Sequence, residues 1–223
     1  MEFFHVMNRG VDGRVIFNTK SDHLRFIYSL GAFNDRKIAF NTERLFEGNV
    51  IHHPQVGRPR HERDPLVDVH AWCLMKNHYH LLLSEREVGD ITRFIRKLNI
   101  GYAKYFNTRY DRKGALFQGR TKKVQIEHDA HFLHILNYIH LNPLDYFEHS
   151  SEWREKKVRN VSETIAYLEK YSWSSLHDYV GESKFPDVAT TSFFAEIFPN
   201  YRKSLISYLQ SLDTSELAQI ALE

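Results

Sequence analysis

Two histidines separated by one residue occupy the centre of the stretch WCLMKNHYHLLLSE, residues 72–85. The apolar residues around them predict a β-strand, in which alternate side chains point to the same face. His78 and His80 therefore project to one side, roughly 7 Å apart, while Tyr79 faces the other side. Two imidazoles at this spacing can bind one divalent ion, although a solvated strand face would have the same pattern.

A tyrosine and an amide follow on a later predicted helix, HDAHFLHILNYIHLNPLDY. At about 100° per residue, the apolar stripe of this helix consists of Phe132, Ile135, Leu136 and Ile139. Tyr138 and Asn142 are one turn apart and adjoin each other on the flank of that stripe, away from the face that burial would claim. The residues alone allow either a functional pair or a boundary aromatic whose hydroxyl meets water.

Basic residues are concentrated between the strand and this helix. Residues 93–123 contain ten Lys and Arg against one acid, Asp111, whereas the net charge of the whole chain is only +2. Aromatic residues interleave with them, and the combination favours binding to a phosphate backbone over a merely solvated helix face. The candidate contacts to a phosphate backbone are Arg112, Lys113, Arg120, Lys122 and Lys123, together with Asn8 and Arg9 in the first predicted strand.

The elements that position these residues follow a recognisable order. FFHVMNRG is predicted as a strand, and KSDHLRFIYSLGAF as a helix with Ser21 or Asp22 as its N-cap. LVDVHAWCLM and HYHLLLS then form a hairpin, GDITRFIRKLNIGYAKYFNTRY a helix, and TKKVQIE a fourth strand. The order β-α-β-β-α-β predicts an α+β protein with a ferredoxin-like split βαβ fold, in which an antiparallel sheet carries helices on one face.

The chain divides into two predicted regions. Residues 1–148 form the main domain, in which 36–66 read as a loop or insert, and residues 149–223 form a C-terminal helical appendage. No apolar run approaches the roughly 20 residues that span a bilayer, so we expect no membrane partner. The single cysteine, Cys73, cannot form an internal disulfide, and the adjacent His52 and His53 point apart in any regular conformation, which argues against a second metal site.

Several motifs together resemble a known family. NHYH followed by leucines is similar to the His-hydrophobic-His signature of HUH single-strand endonucleases. NYIHLNP resembles the tyrosine helix of single-tyrosine transposases, especially the REP-associated tyrosine transposases. FHVMNRG, GYAKYFN, GALFQGRTKKV and YSWSSLHDY are further resemblances, and the set covers most of residues 3–180 in family order.

The resemblance implies a metal-dependent endonuclease and strand transferase that acts on hairpin-flanked single-stranded DNA. His78 and His80 would hold Mg²⁺ or Mn²⁺ with Asn142 as an oxygen ligand, and Tyr138 would form a 5′-phosphotyrosine. Some relatives carry Gln where this chain has the shorter Asn142. The implied setting is the nucleoid in the cytoplasm of a prokaryote, with single-stranded or hairpin DNA as the partner. The oligomeric state is not determined by the resemblance, which allows both a homodimer and a monomer.

Other functions fit part of the pattern. A replication initiator or relaxase uses the same histidine pair, but this chain is too short to include a helicase. A domesticated, non-catalytic protein that binds hairpin nucleic acid would need only the basic residues. Tyr102 and Tyr105 are reserve nucleophiles, although their helical spacing is typical of core positions. A zinc peptidase is disfavoured because the sequence has no His-Glu-x-x-His.

Overall fold

The structure is a computed structural model that describes residues 1–37, 63–127, 129–148, 151–155, 158, 160–181, 183–186 and 188–211. Most of the predicted insert, including His52 and His53, therefore lies outside the described residues. Within the ranges given, no helix is both long enough and apolar enough to cross a membrane.

In the described part of the chain, four strands form one sheet in the order β2-β3-β1-β4. The strands are β1 (Phe3–Arg9), β2 (Val67–Met75), β3 (His78–Glu85) and β4 (Lys122–Gln125). All neighbouring strands run antiparallel. Helix α1 (Lys20–Ala32) comes between β1 and β2 in sequence, and α2 (Asp90–Arg109) between β3 and β4. Because β3 separates β1 from β2, this is the split βαβ arrangement, and the predicted fold class is confirmed.

Strand alternation gives the sheet two faces, which we call the rear face and the front face. The rear face includes Val6, Leu74 and Leu81, and it shares one core with α1 and α2. The front face includes Cys73 and Leu82, and it packs against α3 (Asp129–Leu141). The prediction of helices on one face thus holds for α1 and α2, while α3 covers the opposite face.

The beginning of α1 differs from the prediction. The sequence predicts Ser21 or Asp22 as the N-cap, and this is wrong because Thr19 caps the helix. The Thr19 hydroxyl accepts a hydrogen bond from the Asp22 backbone at 3.4 Å, and the Asp22 carboxylate accepts one from the Thr19 backbone at 2.8 Å. This reciprocal capping box satisfies two backbone N–H groups instead of one. Asp22 also accepts bonds from the hydroxyls of Tyr105 and Tyr110, which links α1 to α2.

The C-terminal region completes the front core. Its helices are α4 (Val161–Lys170), α5 (Leu176–Val180), α6 (Ser192–Ile197) and α7 (Tyr201–Gln210), preceded by 3₁₀ helices at Asn142–Tyr146 and Ser151–Glu155. The Leu74 backbone donates to Trp173 and the Ser175 backbone to Trp72, each at 2.9 Å, which ties this region to β2. The two predicted regions therefore share one core, and the boundary at 148 stays a prediction.

A buried histidine links α3 to this C-terminal region. His140 has no solvent exposure, and its ring nitrogens contact the Tyr201 hydroxyl at 3.0 Å and the Ser175 hydroxyl at 2.9 Å. His70 on β2 is buried in the same way and contacts the Ser84 hydroxyl at 2.8 Å. Burial lowers the pKa of His70 to about 4 and that of His140 to about 3.

Because the pKa values of these two histidines are lowered, we expect the folded protein to lose stability in acid. Their pKa values are about 6.5 in the unfolded chain, so between pH 6.5 and 4 the unfolded chain binds more protons than the folded protein. The stability is therefore full above about pH 6.5, and each histidine removes about 1.4 kcal/mol per pH unit below it. Urea denaturation from about pH 7 to 5 should give a falling free energy of unfolding. The slope should be shallower in His70→Gln, and an unchanged slope in that variant would contradict this explanation.

Candidate active site

The histidine pair lies on the front face of the sheet, as its spacing predicts. Strand β3 begins at His78, and the alternation of the strand directs both rings to the side that α3 covers. Their ring centroids are 4.9 Å apart, and both residues are buried, with 5% exposure for His78 and 0% for His80. Tyr79 faces the rear core, where its hydroxyl donates to Asn99 at 2.8 Å. The pair is therefore enclosed by protein and is not a solvated strand face.

A third histidine, which the sequence analysis missed, stands beside this pair. Strand β1 pairs with β3 so that Met7 lies opposite His80, and this brings His5 onto the same face. Nε2 of His5 and Nδ1 of His80 are 2.9 Å apart, and the two rings stack with centroids 5.1 Å apart. A hydrogen bond to one ring nitrogen fixes which nitrogen is left for a ligand. His5 therefore orients His80.

Burial makes these imidazoles neutral at physiological pH. It lowers the pKa of His5 and His78 to about 4 and that of His80 well below its ordinary value. Arg9 and Arg154 lower the pKa of His78 further, whereas Asp145 raises it. Neutral imidazole is the form that binds metals. The histidines therefore do not need to lose a proton before they bind a metal.

One atom of the pair has the character of a metal ligand. Nε2 of His80 is buried and has no hydrogen-bond partner among the described residues. An orphaned buried nitrogen costs free energy unless something binds it. The described residues contain no group of three or more His, Cys, Asp or Glu side chains that could complete a metal site. A metal at this position would therefore need an amide, water or a phosphate oxygen to complete its coordination.

Tyr138 lies over the histidines but is buried. Its ring centroid is 5.8 Å from that of His80 and 5.7 Å from that of His5, both edge-on. The sequence placed Tyr138 and Asn142 away from the buried face, and this is wrong because their exposures are 1% and 0%. The reason is that Trp153, from the 3₁₀ helix Ser151–Glu155, packs on the helix flank with its ring 6.2 Å from that of Tyr138.

Asn142 is adjacent to Tyr138, as predicted, but its amide is already hydrogen-bonded. Its Nδ2 donates to the backbone carbonyl of Tyr138 at 2.8 Å. Its Oδ1, the predicted metal ligand, accepts a hydrogen bond from Nη2 of Arg154 at 3.0 Å. The structure thus brings His78, His80, Tyr138 and Asn142 into one cluster, with the amide oxygen bound to an arginine.

Arg154 is the second residue that the sequence analysis missed. Besides Asn142, its guanidinium contacts the hydroxyl of Tyr138 at 3.5 Å and the carboxylate of Asp145 at 3.0 Å. It also lies over the ring of Tyr138, 5.4 Å from the centroid. No local pattern in the sequence indicates these contacts, since Arg154 belongs to a polar stretch between the NYIHLNP and YSWSSLHDY motifs.

The strand register separates the predicted DNA contacts near the site. Lys122 lies opposite Met7 and Lys123 opposite Val6, so Lys122 is on the front face with the histidines and Lys123 on the rear face. Nζ of Lys123 stands 4.2 Å from the centroid of the Phe4 ring. Both lysines are exposed, but only Lys122 is on the same face as Tyr138.

Asn8 and Arg9 also differ in position. Asn8 is 5% exposed and points to the rear, where its Nδ2 donates to the Thr121 hydroxyl at 3.0 Å. Arg9 is exposed on the front face, opposite His78 in the register. It lines a cavity of ≈ 290 Å³ beside the site. The other residues that line this cavity are Val15, Met75, Lys76, Asn77, His78, Asp145 and Tyr146.

The remaining predicted contacts lie in the loop between α2 and β4. Lys113 and Arg120 are exposed. Arg112 is half-buried, and its guanidinium donates to Asn107 Oδ1 at 2.6 Å and to the Ala115 carbonyl at 3.1 Å. Arg112 therefore holds the loop together, whereas Lys113 and Arg120 present their charges to solvent.

Part of this chain is similar to a known protein family. The family model described as Transposase IS200 like matches residues 56–142, a range that includes the histidine pair, Tyr138 and Asn142. A solved structure of a REP-associated tyrosine transposase bound to a REP hairpin is similar, with a TM-score of 0.46 and 13% identity over 80% of this chain and 78% of that chain. No curated protein matches this chain. The family model thus covers the part of the chain that contains the candidate site residues.

Proposed function

We propose, from the match of residues 56–142 to the family model described as Transposase IS200 like, that this chain cleaves and rejoins single-stranded DNA with Tyr138 as the nucleophile. The observation that carries the proposal is the position of Tyr138, whose ring meets those of His5 and His80 at 5.7 and 5.8 Å. Tyr102 and Tyr105 face the rear core instead, where their hydroxyls donate to Ile16 and Asp22.

The reaction is a phosphoryl transfer to the tyrosine oxygen. Oη of Tyr138 forms a bond to phosphorus, and the bond from phosphorus to the 3′ oxygen breaks. The phenol proton passes to solvent, and the leaving 3′ oxygen takes a proton from solvent. The product is a 5′-phosphotyrosine and a free 3′-hydroxyl. Because the new ester replaces the old one, the step can run backwards and join strands without ATP.

His78 and His80 would hold a divalent ion, Mg²⁺ or Mn²⁺, and the buried Nε2 of His80 supports this assignment. The ion would supply charge stabilisation at the scissile phosphate. His5 keeps His80 in one orientation through the 2.9 Å contact between the two rings. Asn142 would supply an oxygen ligand once its Oδ1 is released from Arg154.

We assign DNA binding to the exposed basic residues around the site. Lys122 and Arg9 lie on the front face with the histidines, and Lys113 and Arg120 extend this charge along the loop before β4. Backbone binding of this kind fits a single-stranded or hairpin substrate, as the sequence resemblance implies. Asn8 is not part of this interface because its amide is bound in the rear face.

The two lysines of β4 provide a matched test. Lys122→Ala should weaken binding of a single-stranded oligonucleotide and lower the slope of log affinity against log salt by about 0.7, the value for one lost phosphate contact. Lys123→Ala should change the slope much less, because Lys123 points to the rear face. Fluorescence anisotropy at several salt concentrations measures both. Equal effects of the two variants would contradict the assigned face.

Non-catalytic hairpin binding is the second candidate, and one observation favours it. Tyr138 is 1% exposed, so a DNA strand cannot reach its hydroxyl until the covering side chains move. A covalent adduct with a hairpin-flanked oligonucleotide in Mn²⁺ or Mg²⁺ separates the candidates. We expect the adduct from the wild-type protein. Tight binding without any adduct would instead support the non-catalytic function.

A further inference from the structure

Arg154 brings a positive charge to the Tyr138 hydroxyl. Its Nη1 is 3.5 Å from that oxygen, and its Nη2 donates to Asn142 at 3.0 Å. The guanidinium therefore links the proposed nucleophile to the proposed oxygen ligand. Its reach to both comes from the 3₁₀ helix Ser151–Glu155, which folds back over α3.

Asp145 and Trp153 fix the guanidinium in this place. The Asp145 carboxylate accepts bonds from Nε at 3.2 Å and from Nη2 at 3.0 Å. The same carboxylate accepts the indole N–H of Trp153 at 2.8 Å, and the Trp153 ring lies 4.5 Å under the guanidinium. Burial lowers the pKa of Arg154, but the bonds with Asp145 and the nearness of Tyr138 more than offset this, so the pKa is raised. Arg154 thus stays a cation throughout the reaction.

We propose that Arg154 is a further catalytic residue, which stabilises the negative charge on the Tyr138 oxygen and on the phosphate that this oxygen attacks. The inference rests on the proposed function of Tyr138. A guanidinium suits both tasks because it presents several N–H donors in one plane and pairs with phosphate oxygens. It donates hydrogen bonds and keeps its own protons. The phenol proton still passes to solvent, and the leaving 3′ oxygen still takes its proton from there.

The hydrogen bond from Arg154 to Asn142 has a consequence for metal binding. Nη2 cannot serve both Asn142 and an incoming phosphate with the same N–H group. A phosphate that takes this N–H group from Asn142 would release the Oδ1 that the sequence resemblance assigns to the metal. DNA binding and completion of the oxygen ligands would then be coupled through one side chain.

The test uses Arg154→Ala, with a hairpin-flanked oligonucleotide and Mn²⁺. At saturating DNA we expect the rate of adduct formation to fall on the order of 100-fold, the usual effect of removing one donor from a developing negative charge. The dissociation constant for the DNA should change far less. Arg154→Lys should retain part of the rate. Arg202→Ala is the matched control, because Arg202 is also ion-paired, at 2.6 Å, but it joins α7 to Glu169 of α4.

Guanidinium rescue distinguishes a catalytic from a structural role. Millimolar guanidinium added to Arg154→Ala should restore part of the lost rate, because the ion can occupy the vacated position. It should not help Tyr138→Phe or Arg202→Ala. Thermal unfolding of each variant checks that the fold is retained.

Each other outcome overturns the inference in a distinguishable way. A wild-type rate in Arg154→Ala means that Arg154 is not catalytic, while the role of Tyr138 stands. A faster rate means that Arg154 only covers Tyr138. A slow rate without rescue by guanidinium or lysine assigns Arg154 a structural role. The absence of an adduct in the wild-type protein overturns the proposed function and the inference together.

Discussion

Replacing Tyr138 with phenylalanine is expected to abolish covalent attachment to DNA and to lower strand cleavage on the order of 10⁶-fold, as the loss of an enzymatic nucleophile does. The substitution removes one oxygen and retains the ring. The contacts with His5, His80 and Trp153 are made by that ring, so the fold should be unaffected. Denaturing gel electrophoresis of labelled oligonucleotide measures cleavage and adduct in the same sample.

Tyr105→Phe is the matched control. Tyr105 is on α2, and its hydroxyl bonds to Asp22 in the rear face, so its loss should cost stability without lowering the rate of cleavage. Persistent cleavage in Tyr138→Phe would mean that another group is the nucleophile. If Tyr105→Phe or Tyr102→Phe then lost cleavage, the assignment of the front face as the active site would be wrong.

The second large effect is expected from His80→Ala. Removal of a metal ligand forfeits the charge stabilisation at the phosphate, several kcal/mol, and at 1.36 kcal/mol per tenfold in rate the loss is on the order of 10³-fold. Binding of DNA through the basic residues should persist. The dependence of the rate on Mn²⁺ concentration should also shift to higher concentration, because only His78 of the pair is left.

His70→Ala controls for the loss of a buried histidine in the same sheet. His70 is 1% exposed and His80 0%, so both are buried. His70, however, bonds to Ser84 and packs against Phe3 and Phe194. Its removal should lower the thermal midpoint and leave the response to Mn²⁺ unchanged. A His80→Ala variant with the wild-type response to Mn²⁺ would contradict the assigned metal site.

The order of the strands and helices could be predicted because each element has its own local period. Alternation identified β1 to β4, and spacings of three and four identified α1 to α3. The common face of His78 and His80 followed from the same alternation. The N-cap of α1 was missed because Thr19 and Asp22 act as a pair, which single-residue capping preferences do not reveal.

Contacts between distant segments could not be predicted in this way. His5 reaches His80 through the register of β1 against β3, which the local pattern of either strand alone does not reveal. Tyr138 is buried because Trp153 and Arg154 fold back over α3, so a helical wheel of α3 alone placed it on the exposed flank. Lys122 and Lys123 were equally good DNA contacts in the sequence, and the structure assigns them to opposite faces.

Mass spectrometry of the protein after reaction with a hairpin-flanked oligonucleotide tests the central claim most directly. In Mn²⁺ or Mg²⁺ we expect the peptide containing Tyr138 to gain the mass of the 5′-phosphorylated cleavage product, and we expect EDTA to prevent this gain. A DNA adduct on any other tyrosine, or cleavage without an adduct, would contradict the claim that Tyr138 is the nucleophile.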